Sequence, residues 1–409
     1  MKLKITILAA AAFGLLAARA GAVDFNGYTR VGPGQKQASG DGQRCFSGGA
    51  GGGNGSQAPG KGGIGRLGNE CETYGEFGLS QTMTKDGVSY KALLMTNFYS
   101  TGSTPATADA NTPRVNQLYV EAKGYSMAPA LTFWVGRRFY HRADVHFDDS
   151  FYVFGGSSGA TGAGVDTIPV GSGSLGVAVF RKDDASTSTN AGTMLNVDLQ
   201  SLVVNPGGKL RVLGSFSDFS GTGGKSGAGL TLQHNQTGVF GAENTLWVQT
   251  AQGSTALDMF FSDGTHDSKY KGWRIADSLA WLNGPLTAQT LLHYGQAQQP
   301  NGVGGTAKSK TLSLAGRVAY AFTRNFKLQG ELGTANTKPN DGIASTSDKA
   351  QNVTKLTIAP TLAIGPNYYD RPELRFYASY FKFNDAYKAA TGQSKNSKTA
   401  VGVQAEIWF

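Results

Sequence analysis

Beyond its first two dozen residues the chain has no apolar run near the ~18 residues that a membrane-crossing helix needs. A helical membrane protein is therefore excluded. A membrane β-barrel is not, because alternating strands hide their lipid face from a hydropathy scan. Lysine and arginine are not gathered into blocks, which argues against a nucleic-acid partner. Cysteine is scarce: Cys45 and Cys71 are the only two. Chemistry-bearing motifs are scarce as well. There is no H-E-x-x-H and no phosphate-binding glycine loop before a helix. The five histidines are scattered, and the nearest pair, His141 and His146, has a spacing that suits neither one strand face nor a helical metal pair. They read as solvated loop residues, with no cofactor, no metal and no enzyme activity implied.

Glycine is abundant instead, 58 of 409 residues, without the G-X-Y period of collagen. With 40% hydrophobic residues the chain has enough apolar surface to fold. Residues 1–22 read as a secretory signal peptide: Lys2 and Lys4, an apolar stretch from Ile5 to Ala18, then Ala20-Gly21-Ala22 before Val23. Its removal takes away Lys2, Lys4 and Arg19, so the net charge of +9 falls to +6. That mild excess favours anionic headgroups or solutes. In an exported chain the two cysteines read most simply as one disulfide, Cys45–Cys71. It would close a glycine-rich segment, Gly48 to Gly65, read as an extracellular loop with little reason to order itself.

From Val23 onward the dominant signal is period-two alternation. Val23, Phe25, Thr29 and Val31 share one face and Asp24, Asn26, Tyr28 and Arg30 the other. Leu312, Leu314, Val318, Tyr320 and Phe322 oppose Ser313, Ala315, Arg317 and Ala319. Lys327, Gln329 and Glu331 oppose Leu328 and Leu332. At the end Val401, Val403, Ala405, Ile407 and Phe409 oppose Gln404, Glu406 and Trp408. Tight turns such as Lys85-Asp86-Gly87, Asn205-Pro206-Gly207-Gly208, Asn283-Gly284 and Gly365-Pro366-Asn367 alternate with longer polar runs, among them Asn336 to Gln351. No segment carries a long 3.6-residue period. Short turns on one side and long loops on the other are the layout of an outer-membrane barrel. At ~9–11 residues per strand, residues 23–409 make one domain of roughly 16 to 18 strands, wide enough for an aqueous channel. A soluble β-sandwich or solenoid would alternate in the same way. The leader and the terminal aromatic Phe409 favour the barrel.

The segment from Gly136 to Tyr152 packs opposite charges and aromatics together. Folded into a lumen it would narrow the channel and offer sugars what they need: Arg forks as donors, Asp as acceptors, ring faces for stacking. The same residues could form an ordinary salt-bridged loop.

The chain resembles the maltoporin family of carbohydrate porins. The resemblance is carried by the start Val23-Asp24-Phe25-Asn26-Gly27-Tyr28-Thr29-Arg30, by Arg66-Leu67-Gly68-Asn69-Glu70-Cys71-Glu72-Thr73-Tyr74, by Gly136 to Tyr152 as an inward-folded third loop, by Asn205-Pro206-Gly207-Gly208, by Arg371 to Tyr380, and by Glu406-Ile407-Trp408-Phe409. It implies an all-β fold, a transmembrane antiparallel barrel of 18 strands with long extracellular loops. It also implies a homotrimer among lipid and lipopolysaccharide in the outer membrane of a Gram-negative bacterium. The implied function is facilitated, passive diffusion of maltose-type or related small sugars, with a general diffusion porin as the alternative and a barrel enzyme or adhesin as more distant ones. By the resemblance, Tyr28, Tyr74 and Trp408 belong to an aromatic slide, Arg30, Arg66, Glu76, Arg142, Asp144 and Asp149 to an ionic track, and Cys45 and Cys71 to a first-loop disulfide. Three departures shorten the slide. The aromatic that a neighbouring subunit's second loop supplies has no counterpart between Tyr99 and Thr112. Two later positions fall near Leu246 and near Thr311 or Leu312. Phe151 and Phe154 stand where the family has a tyrosine and an aspartate.

Overall fold

The alternating stretches become strands, and the strands close on themselves. The computed structural model describes residues 23–32, 35–37, 63–70, 72–101, 113–155, 160–182, 191–220, 225–259, 270–300, 305–340, 348–391 and 393–409. In chain order the strands are β1 Asp24–Val31, β2 Gln35–Gln37, β3 Glu72–Lys85, β4 Val88–Thr101, β5 Arg114–Tyr125, β6 Ala128–Arg137, β7 Tyr140–Val145, β8 Ser150–Gly155, β9 Thr161–Val170, β10 Gly173–Lys182, β11 Ala191–Asn205, β12 Gly208–Ser220, β13 Gly227–Val239, β14 Ala242–Gln252, β15 Lys271–Trp281, β16 Leu286–Pro300, β17 Thr306–Thr323, β18 Phe326–Asn340, β19 Gln351–Ala363, β20 Glu373–Phe383 and β21 Ser397–Trp408. Leaving out β2, β7 and β8, these make a closed antiparallel barrel of 18 strands. Closure is through β1, which pairs with β3 on one side and β21 on the other. The short β2 continues along β21. The pair β7–β8 is a separate hairpin. Cys45, Cys71 and the leader lie outside the described residues.

Each side chain's face follows from the pleat. Along β17, Leu312, Leu314, Val318, Tyr320 and Phe322 are exposed on the outer surface while Ser313, Ala315, Arg317 and Ala319 are buried inside. Along β18, Leu328 and Leu332 point out and Lys327, Gln329 and Glu331 point in. The outer band is apolar because its solvent is hydrocarbon, and the inner face carries the charge. At the seam Phe25, Phe77 and Phe409 gather on the outside, with ring centroids 5.1–6.4 Å apart. The turn between β3 and β4 has φ +52° at Asp86 and +81° at Gly87, the left-handed central pair that matches strand twist.

Two stretches differ from the sequence expectation. β18 runs on to Asn340, through residues read as loop from Asn336, because strand pairing with β17 persists past the apolar band. Asp385–Thr391 form a short helix, too brief to leave a period in the sequence.

The interior is partly filled by two inward segments. Gly63 to Gly65, the last residues of the stretch expected to stay outside and unordered, lie with the following Arg66 to Glu70 against the lumen wall, where Ile64 and Leu67 are fully buried. The wall satisfies the segment's backbone. Lys355 Nζ donates to the carbonyls of Gly65 (2.6 Å) and Leu67 (3.0 Å), and Leu67 N–H donates to Glu331 (2.9 Å). Gly65 has φ +83°, and a methyl group there would overlap the Glu331 carboxyl group. Gly65→Ala should therefore lift this segment off the wall, combining a left-handed strain with a clash. Single-channel conductance should rise. An unchanged conductance would mean that the segment does not limit the pore.

Candidate functional site

The seam between first and last strands places the central groups. In register, Tyr28 faces Trp408 on one neighbour and Glu76 on the other, while Arg30 faces Glu406 and Tyr74. All six point inward, since a shift by one residue would put Glu406 and Gln404 in lipid. Tyr74, Tyr28 and Trp408 form a row, with ring centroids 6.2 and 6.3 Å apart. The row continues to Tyr369, 6.2 Å beyond Trp408.

The rings are held by ionic groups behind and beside them. Tyr28 Oη donates to Glu406 Oε1 (2.9 Å) and accepts from Arg66 Nη2 (2.6 Å). Tyr74 Oη donates to Glu76 (2.5 Å). Arg30 pairs with Glu72 (2.8 Å), Glu70 (3.2 Å) and Asp149 (3.3 Å) and lies 5.0 Å from the centre of the Tyr74 ring. Arg66 is spent on Glu70 and Glu406, each at 2.8 Å, and is only 2% exposed.

Opposite the seam, the hairpin β7–β8 and the tight turn His146–Asp148 between its strands fold into the barrel. Their anchors reach several walls. Phe147 is buried, and its carbonyl accepts from Arg66 N–H (3.0 Å) and Arg317 (3.3 Å). Tyr152 stacks on Trp247 at 4.5 Å, and its carbonyl accepts from Gln249 (2.6 Å). Asp148 accepts from Gly65 N–H (2.9 Å) and Ser150 Oγ (2.5 Å). Burial still pushes the Asp148 carboxyl up to about 8, against the pull of those two bonds. Burial also raises Asp144 and lowers His146.

Between seam and hairpin lies a cavity of about 940 Å³. All nine residues expected for the slide and the ionic track line it: Tyr28, Tyr74, Trp408, Arg30, Arg66, Glu76, Arg142, Asp144 and Asp149. The Arg142 guanidinium sits among the phenyl rings of Phe139 (4.0 Å), Phe151 and Phe154 (both 5.4 Å to the ring centres). Such a lining can stack a ring face and meet hydroxyls with both donors and acceptors.

Among the described residues, His141, His146 and His293 are not solvated loop residues as expected, whereas His266 lies outside the described residues. His141 is bonded to Asp198 (2.8 Å), and His146 packs edge-on to Trp408 (5.5 Å) beside Glu406. Sequence reasoning missed Tyr369, which sits in a turn with no periodicity to give its direction. It placed a later slide position near Leu246. The inward residue there is Trp247, next in the chain, and it is buried under Tyr152. On β17, Thr311 points in and Leu312 out.

The LamB porin family pattern matches residues 23–409. The chain is 28% identical to "Maltoporin 2" of Yersinia pseudotuberculosis, over 95% of this chain and 94% of that one. It is 30% identical to "Maltoporin 1" of Klebsiella pneumoniae, over 95% and 93%. The crystal structure of Acinetobacter baumannii OccAB1 superposes with a TM-score of 0.51 at 10% identity, over 95% of this chain and 96% of that one, a likeness of fold alone. Taken with the 18-strand barrel and its inward hairpin, the match from one end of the barrel to the other settles the assignment: the chain belongs to the LamB porin family, outer-membrane β-barrel channels rather than enzymes.

Proposed function

We propose that the protein is a passive, saccharide-selective channel of the outer membrane, taking small sugars of the maltose type or close to it. One observation carries the reading: a row of four rings, Tyr74, Tyr28, Trp408 and Tyr369, with adjacent centroids 6.2–6.3 Å apart, of which the first three share one cavity with Arg30, Glu76, Asp144, Asp149 and Arg142. A sugar ring has an apolar face and a hydroxyl edge. Rings in line let it move from one stacking partner to the next while charged groups at the side exchange hydrogen bonds with its hydroxyls. No step needs energy or a cofactor. The names of the maltoporin relatives point to the same class of solute. The same reading has the chain exported by residues 1–22 and trimeric among lipopolysaccharide, with Cys45 and Cys71 joined.

Single-channel recording with a panel of sugars tests it. Saturable block of ion current by a small sugar is the expected result. Current that falls only in proportion to bulk viscosity would make the protein a general diffusion porin.

A further inference from the structure

We propose that the outer surface of β15 to β18 holds the phosphate groups of lipopolysaccharide through Lys271, Lys308, Lys310 and Lys338. The proposal makes specific the lipopolysaccharide contact of the reading above and does not depend on which solute passes. Strand register sorts the outward residues of these strands into rows. One row is apolar: Ile275, Tyr294 and Leu312, each 42–48% exposed. The next row holds Trp273, Gln296, Lys310 and Lys338, and the one after it Lys271, Gln298 and Lys308. Each step is two residues, about 7 Å along the strand. The lysines lie toward the start of β15 and β17 and the end of β18, away from the tight turn that joins β17 to β18. That is the long-loop end, which faces the outer leaflet. Trp273 and Tyr294 meet edge to face at 5.3 Å where the rows change from apolar to basic. Aromatics on a barrel's outer face mark the boundary between hydrocarbon and headgroups. The lysines therefore begin at headgroup depth.

Lys310 and Lys338 are direct partners on neighbouring strands. Side chains so placed start about 5 Å apart, and like charges there repel and cost stability. Lys308 adds a third charge on the same face, two residues from Lys310. No acid occupies an outward position in either basic row. Among the described residues none of the four lysines forms an ion pair. Left alone, the arrangement is unfavourable. A multivalent anion lying between the lysines reverses the sign. A glycolipid with phosphates on its sugar headgroup brings that anion at the right depth. Its acyl chains lie along the apolar row, and its phosphate oxygens accept from the ammonium groups one step above.

The test titrates the detergent-solubilised protein with diphosphoryl lipid A and reads the lipid-bound fraction by native mass spectrometry. The double variant Lys310→Gln with Lys338→Gln should bind about ten-fold or more weakly at low salt, the scale of one charged hydrogen bond. The gap should narrow at about 1 M salt, where the screening length is about 3 Å. Arginine at both positions should restore binding. Lys209→Gln, at the short-turn end of β12, should leave it unchanged. Without lipid A the double glutamine variant should unfold on heated gels at the same or a higher temperature than the parent, because a repulsion is gone; a merely structural role for the lysines would lower it. Unaltered affinity in the double variant, or an equal loss in Lys209→Gln, overturns the site. Phosphatidylglycerol binding as tightly as lipid A, or inorganic phosphate displacing lipid A at equal concentration, overturns the assignment to lipopolysaccharide. Sugar block of the same pores tests the channel reading separately, so either can fail with the other standing.

Discussion

Glu406→Gln should give a barrel that unfolds at markedly lower temperature in detergent and, where it inserts, a wider and noisier pore. Glu406 is 1% exposed, and three guanidinium groups converge on it: Arg66 and Arg371, each at 2.8 Å, and Arg375. Around it Glu70, Glu373 and Glu406 face Arg66, Arg371 and Arg375, and Lys327 and Arg30 add further positive charge through Glu373 and Glu70. A buried ion pair adds little net stability over an apolar one, because desolvating the charges costs about what their attraction returns. Removing one member is different. It leaves a buried cation with no counter-charge, a loss of roughly 3–5 kcal/mol. The loss falls on three structures at once. Glu406 belongs to the last strand, Arg66 to the first inward segment, and Arg66 N–H also holds the turn of the hairpin through Phe147. Heat-dependent gel mobility and conductance of the same preparation check this. A variant with the native transition and native conductance would show that water or a rearranged Glu70 replaces the lost charge.

Trp408→Ala should raise the concentration of sugar needed for half-block by roughly 30-fold, with the ion conductance of the open pore little lowered. Tryptophan anchors at the centre of a binding patch commonly cost about 2 kcal/mol when truncated, and that energy corresponds to the stated factor. Trp408 is such a centre. Tyr28 lies 6.3 Å to one side, Tyr369 6.2 Å to the other, His146 meets it edge-on and the Arg371 guanidinium is 4.5 Å from the ring centre. Its loss splits the row in two. Fluorescence gives an independent reading: water-soluble quenchers entering the lumen should reach Trp408, whereas quenchers on lipid chains should not. An unaltered half-block concentration in Trp408→Ala pores would sink the slide.

The barrel was legible because lipid on one side and water on the other force a two-residue period, and that period survives in one sequence. The rows on β17, β18 and β21 could be assigned to faces from the sequence. Inward direction at Tyr28, Tyr74 and Trp408 followed from the same rule. The rule ends where the strand does. Tyr369 projects from a connection between β19 and β20, and nothing periodic tells which way a turn residue points. Phe139 belongs to the junction between β6 and β7, and its place beneath Arg142 depends on how the hairpin folds back. At Leu246 and Trp247 a one-residue difference in register decides whether an aromatic is found inside at all, which is the penalty a period of two imposes. The strand at Asn336 to Asn340 was hidden for another reason: past the lipid band both faces are wet, so the alternation that marks a strand is gone.

The seam joins Gly27 and Phe409 by a reciprocal pair of backbone hydrogen bonds, N–H to carbonyl at 2.9 and 3.1 Å. Across it lie Tyr28 from one terminal strand and Trp408 from the other. The proposed solute path is therefore joined at its middle by the very contact that turns a ribbon into a cylinder. An open ribbon has no sealed wall and holds only two separate half-rows, Tyr74 with Tyr28 and Trp408 with Tyr369. The proposed path thus becomes continuous only with the finished cylinder, where the two half-rows first meet at Tyr28 and Trp408.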